Sequence, residues 1–194
     1  MVVVVDTCSL HRLVEYYLPF DKDGVLVPLI ERLFASKEMM MTDLVYNECQ
    51  RMAKGIILEK LPFLKTAKFK KGLISTDVLV PNKKLMNIVN EQFAIRSKLN
   101  NMPPEQQQIQ REMYYQSGDF SLIYCAYQKK QGLSGGLFPE DLMILTDESA
   151  NENGSSCFKK VPTCCKLLGV DSLNIQAYLE IVTGGKLKFI LQQP

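Results

Sequence analysis

The run Val2-Val3-Val4-Val5, followed at once by Asp6, limits what this chain can fold into more than any other stretch. Four consecutive β-branched residues cannot alternate between a wet and a dry face. They are predicted to form a central strand of a parallel sheet, covered on both sides. Parallel pairing requires crossover helices, and the following residues supply them. Leu10, Leu13 and Val14 share one helical stripe, closed at Pro19. Leu26, Leu29, Ile30, Leu33 and Phe34 form another within VLVPLIERLFAS. EMMMTD reads as a short strand ending at Thr42 or Asp43, either of which can cap the helix LVYNECQRMA. DLMILT reads as a further strand, PTCCKLLG and SLNIQAYLEIV as closing helices, and KLKFIL as an edge strand.

Residues 55–117 break this rhythm. KGIILEKLPFLKTAKF, KLMNIVNEQFAIRSKL and PPEQQQIQREMYYQS all have helical patterning, the last begun by Pro103 and Pro104. LISTDVLVP between them reads as either strand or helix. This stretch is predicted to be a helical insertion. DFSLIYCAYQKKQ resumes the main fold as a helix ended by Gly132 and GLSGG. The expected class is α/β: an open, mainly parallel sheet with helices on both faces, in one domain spanning all 194 residues. Ligands of such sheets bind beyond the carboxyl ends of the strands, where Asp6 stands.

Composition excludes several classes. No apolar run approaches a membrane span and the valine start lacks a signal peptide's basic flank, so a soluble cytoplasmic protein with no membrane partner is expected. Six cysteines without CxxC spacing, beside a single histidine, argue for reduced core thiols rather than disulfides or zinc. In that setting the glycosylation pattern Asn153-Gly154-Ser155 carries no meaning. The net charge of +2 gives no global field for nucleic acid, but Lys54, Lys60, Lys65, Lys68, Lys70 and Lys71 are opposed locally only by Glu59. That strip is either a solvated helix face or a guide for a phosphate backbone.

The acids are more informative. Asp6 ends one strand, and Asp147 with Glu148 ends another. Each could instead be a turn or capping acid. Glu48 lies four residues after Leu44 and four before Met52, so it points with the apolar stripe of its helix. Unpaired burial there would cost several kcal/mol, roughly, unless a proton, a base or a metal compensates. The alternative is a residue at the stripe's edge, paired with Arg12 or Arg51. Asp119 shares a helical register with Ile123 and Ala126, at a helix start where it could also serve as a simple N-cap.

Brought to one rim, these carboxylates require a cation. An all-oxygen donor set without histidine or thiolate suits Mg²⁺ or Mn²⁺, and Mg²⁺ favours sites shared with phosphate. His11 alone cannot supply the acid and base pair of a metal-independent ribonuclease, which leaves the chemistry to the ion.

DTCSL after the first strand, NEC in the following helix, GDFSLIYCAY and ILTDES, in that order, resemble the four acidic motifs of PIN-domain nucleases, VapC-like toxins among them. VPTCCKLLGV resembles the tail of a little-characterised PIN-like branch. The likeness spans nearly the whole chain and is strongest at residues 1–53 and 118–170. It implies a three-layer α/β/α sandwich and Mg²⁺- or Mn²⁺-dependent cleavage of RNA. It makes Asp6, Glu48, Asp119 and Asp147 the catalytic, metal-binding acids. Glu148 and Asn151 are reserves, and Thr7 and Ser9 are supporting hydroxyls. Lys54, Lys68, Lys70 and Lys71 would guide the RNA, and an antitoxin protein or a second copy of the chain are candidate partners. Two departures stand out: the segment between Glu48 and Asp119 is longer than in compact toxins, and the aromatic that often follows the last acid is missing.

Competing phosphate folds lack their central residues here. No GxxxxGK[ST] or GxGxxG is present, DTC lacks the second aspartate of a DxD phosphatase start, and GLSGG is too short to cradle a pyrophosphate. The alternative from another class is a PIN-like binding or scaffold module without metal-dependent cleavage.

Overall fold

A computed structural model of the chain describes residues 1–78, 83–132, 142–151 and 155–191. The valine run is strand β1, Val2–Val5, and Val3, Val4 and Val5 have no exposed surface, as a strand covered on both faces requires. It leads into α1, Thr7–Arg12, which widens into a π-helical turn and tightens into a 3-10 turn at Leu18–Phe20, where Pro19 lies. Next come α2, Leu26–Ala35, strand β2, Met39–Met40, and α3, Asp43–Arg51. Thr42 caps α3, its hydroxyl accepting from Val45 N at 3.2 Å.

The insertion is helical as expected, but in short pieces: α4, Ile56–Lys60; α5, Ala67–Lys70; α6, Lys83–Ile88; α7, Arg96–Leu99; and α8, Pro104–Tyr115. The ambiguous LISTDVLVP contains a single parallel bridge from Ile74 to Thr42 and a 3-10 turn at Thr76–Val78; its last residues lie outside the described ones. The main fold resumes with α9, Gly118–Gln131, closed by Gly132 at φ 59°. There follow β3, Leu142–Leu145, α10, Val161–Leu168, β4, Ser172–Leu173, α11, Ile175–Val182, and α12, Leu187–Ile190. Most of GLSGG and the Asn153-Gly154-Ser155 pattern also lie outside the described residues.

Among the described residues the sheet has the order β2-β1-β3-β4, and every pairing is parallel. Val5 pairs with Leu145, and Leu145 with Leu173, so β1, β3 and β4 end level. The chain winds one way from β1 to β2 and the other way through β3 to β4. Right-handed crossovers then place α2 on one face and α10 on the other, which makes a three-layer α/β/α sandwich with a helical insertion. Helix α9 packs on β1, β3 and α10. Apolar residues of the insertion, Ile57, Leu61, Leu85 and Phe93 among them, share the core with the sheet.

One expectation is corrected. KLKFIL is not an edge strand: Leu187–Ile190 is helical, and the edge position beside β3 belongs to Ser172–Leu173. Leu187 and Ile190 are three apart, a spacing that serves one face of a helical turn as well as alternation serves a strand. No described helix is long and apolar enough to cross a membrane.

Candidate functional site

The winding reverses between β1 and β3, and a crevice at such a switch point is where open α/β sheets bind ligands. Asp6 leaves β1 there. Its backbone N donates to Leu145 O at 2.8 Å, so the end of β3 pins it, and it sits at the start of α1 without using its side chain as a cap. The carboxylate is 4% exposed, and its Oδ2 accepts from Thr146 Oγ1 at 2.8 Å and from Cys8 Sγ at 2.7 Å. Burial raises its pKa; these two bonds oppose the rise and the nearby Glu148 charge adds to it.

Glu48 reaches from α3 to two other elements. Oε2 accepts from Thr7 Oγ1 at 2.9 Å on α1, and Oε1 accepts from Gly118 N at 2.7 Å at the start of α9. Gly118 is required by this approach, because a Cβ at that position would stand 2.6 Å from Oε2. Neither Arg12 nor Arg51 pairs with Glu48: Arg12 bonds Asp147, and Arg51 bonds Asn47 O.

The cap of α9 is Ser117, whose Oγ accepts from Phe120 N at 3.1 Å, so Asp119 in the first turn is released from capping. Its pKa is raised to about 7, first by burial and then by the charges of Asp6, Glu148 and Glu48, with Lys160 acting the other way. The charges of Asp6, Glu148 and Glu48 thus all reach Asp119.

The end of β3 divides its acids. Side chains alternate as a strand leaves a sheet. Thr146 turns to Asp6, and Asp147 turns the other way. Asp147 Oδ2 accepts from Ser9 Oγ at 2.7 Å and from Ile175 N at 2.9 Å, and Oδ1 from Arg12 at 3.0 Å. Asp147 and Ser9 are thus brought together, as a tie between α1, β3 and α11. Glu148 turns back toward Asp6 and Asp119, where its Oε2 accepts from Val161 N at 3.0 Å and its Oε1 pairs with Lys160. Asn151 is exposed, its backbone N bonded to Ser149 Oγ.

The donor set consists of hard carboxylate oxygens, which fits Mg²⁺ or Mn²⁺ rather than a thiophilic ion. Among the described residues the acids do not close into a ready group of three ligands. They stand within mutual electrostatic range, with Cys8 and Cys49 beside them kept as neutral thiols by burial. Lys54, Lys68, Lys70 and Lys71 are exposed; Lys70 stands 5.9 Å from the Tyr46 ring centroid. Lys68 lines a separate cavity of about 460 Å³ at the β2 side of the sheet, walled by Phe34, Met39, Met41, Phe63, Phe69 and Ile74. Its walls are mainly apolar, with Lys37, Lys68 and Thr66 among the polar residues that line it.

Sequence reasoning missed Thr146, Cys8, Gly118 and Lys160. Thr146 and Cys8 flank acids already chosen and could have been found by following strand alternation and the first helical turn. Lys160 carries no local signal. Comparison with protein families, with curated proteins and with solved structures finds no match to this chain.

Proposed function

We propose that this chain is a divalent-metal-dependent endoribonuclease, with Asp6, Glu48, Asp119 and Glu148 as the acids that would hold Mg²⁺ or Mn²⁺. The observation that carries the reading is the delivery of these four carboxylates by four separate segments to the switch point of a parallel sheet, at the cost of a raised Asp119 pKa. Amide capping accounts in part for Glu48 and Glu148, through Gly118 N and Val161 N, but not for the placing of Asp6 and Asp119 beside them. A bound ion supplies Lewis acidity toward a phosphodiester and the water that attacks it. The chain's own part is to aim its acids. Thr146 and Cys8 hold Asp6, and Thr7 and the Gly118 amide hold Glu48. Exposed lysines of the 54–71 strip guide the RNA backbone without reading its sequence. Asp147 takes a positioning role through Ser9, Arg12 and Ile175 in place of metal binding. The reading extends to a toxin restrained by a small antitoxin-like protein, in which case expression of the chain alone arrests growth.

A second reading, a binding or scaffold module without cleavage, is favoured by one feature: Glu148 is already engaged by Lys160 and by the start of α10. One experiment separates the two. Purified protein is incubated with single-stranded RNA, structured RNA and DNA in Mn²⁺ or in chelator. The nuclease reading expects Mn²⁺-dependent RNA cleavage that Asp6→Asn abolishes with the fold intact. Equal cleavage by the variant, or none by the wild type, overturns it.

A further inference from the structure

The insertion grips one segment of the main fold, and that segment leads to the acids. Residues 157–160 run extended across residues 93–95: Ile95 N donates to Cys157 O and Lys159 N to Phe93 O, both at 2.8 Å, around an antiparallel bridge between Ala94 and Phe158. The Phe158 ring stacks on Tyr114 of α8, with centroids 3.9 Å apart and planes 8° from parallel. Phe93, Tyr114 and Phe158 are buried. The next residue is Lys160, at φ −69° and ψ 151° immediately before α10, and its side chain reaches Glu148.

We propose that Lys160 receives a phosphate oxygen of the RNA at this site, exchanging Glu148 for that oxygen, and that the insertion serves to present it there. The inference rests on the nuclease reading. Lys160 is the cation whose charge opposes the crowding at Asp119, and its own ammonium also feels Asp119 and Asp6. Arg12 is committed to Asp147. The Lys160 side chain is 29% exposed and Glu148 18%, so the pair is partly open to solvent and its ammonium is accessible to an incoming phosphate oxygen. A compact ammonium on a flexible stem suits exchange between two anions, whereas a guanidinium fork would favour fixed bidentate pairing. A divalent cation would also draw on Glu148, so metal and Lys160 compete for one carboxylate while Lys160 and substrate cooperate.

That double relation gives a test a merely structural lysine would not satisfy. Lys160→Met and Lys160→Arg are compared with wild type in binding a labelled single-stranded RNA with Ca²⁺ in place of Mg²⁺, across a KCl series. Mn²⁺ affinity is measured without RNA. Lys160→Met is expected to bind RNA at least several-fold more weakly, with the salt slope reduced by about 0.7, the loss of one phosphate contact on a single strand. It should bind Mn²⁺ more tightly than wild type, and Lys160→Arg should recover part of the RNA affinity. An unchanged salt slope, or Mn²⁺ affinity that falls with RNA affinity, overturns the assignment. If the wild type cleaves RNA and Lys160→Met cleaves it equally well, this inference fails and the nuclease reading stands. A wild type that neither binds Mn²⁺ nor cleaves RNA takes both down.

Discussion

A carboxyl group whose pKa is raised in the fold favours the native state only while it keeps its proton, and Asp119 is such a group, with a value of about 7. Between its unfolded value near 4 and that point, the native chain binds more protons than the unfolded chain. Metal-free stability should therefore fall as pH rises from about 4 to about 7, and Asp119→Asn should be the more stable protein at pH 7.5, by roughly 2–4 kcal/mol. Thermal melts in chelator at pH 5.5 and 7.5 check this, and a variant less stable than wild type at the higher pH contradicts it. A cation must displace that proton, so Mn²⁺ affinity should weaken as pH drops below 7. Gly118 offers a second residue-scale test. Gly118→Ala puts a methyl group into the Glu48 carboxylate and should lower cleavage more than tenfold, with Glu48→Gln adding little in the double variant. The acids themselves were legible in the sequence because carboxylates at strand ends and on apolar stripes are conspicuous. The glycine was not, because its necessity arises from a side chain 70 residues away in sequence.

At the scale of elements, the end of β3 shows why ILTDES was only half readable. Alternation sends Thr146 and Glu148 to one side and Asp147 to the other, but which side faces Asp6 depends on the register with β1. The sequence carries no such information. Asp147→Ala should accordingly cost about 1–3 kcal/mol, through the unpaired Ser9 and Ile175 N, and leave Mn²⁺ affinity within a few-fold of wild type. A complete loss of metal binding would return Asp147 to the ligand set. Two-residue β4 was invisible because Ser172–Leu173 is too short to display a period, and its strand character comes from β3. The insertion was recognised as helical from its stripes, but its grip on residues 157–160 is a tertiary fact. Phe158→Ala should destabilise by about 3–5 kcal/mol in chemical denaturation and weaken RNA binding in the folded fraction by loosening Lys160.

For the molecule as a whole, the order β2-β1-β3-β4 gathers residues 6, 48, 119 and 148 at one rim, although they are spread over three-quarters of the sequence. The valine run made the parallel class legible, since only a doubly covered strand tolerates it. The strand order was not legible, because β2 and β3 lie on opposite sides of β1 and are joined through the whole insertion. What four acids at a switch point mean chemically is decided most directly by calorimetric titration of Mn²⁺ into metal-free protein near pH 7, beside Asp6→Asn. Saturable binding with release of about half a proton, the share Asp119 holds near its pKa of about 7, is expected in the wild type, and loss of that binding in the variant. Binding that is absent, or identical in the two proteins, would contradict the proposal.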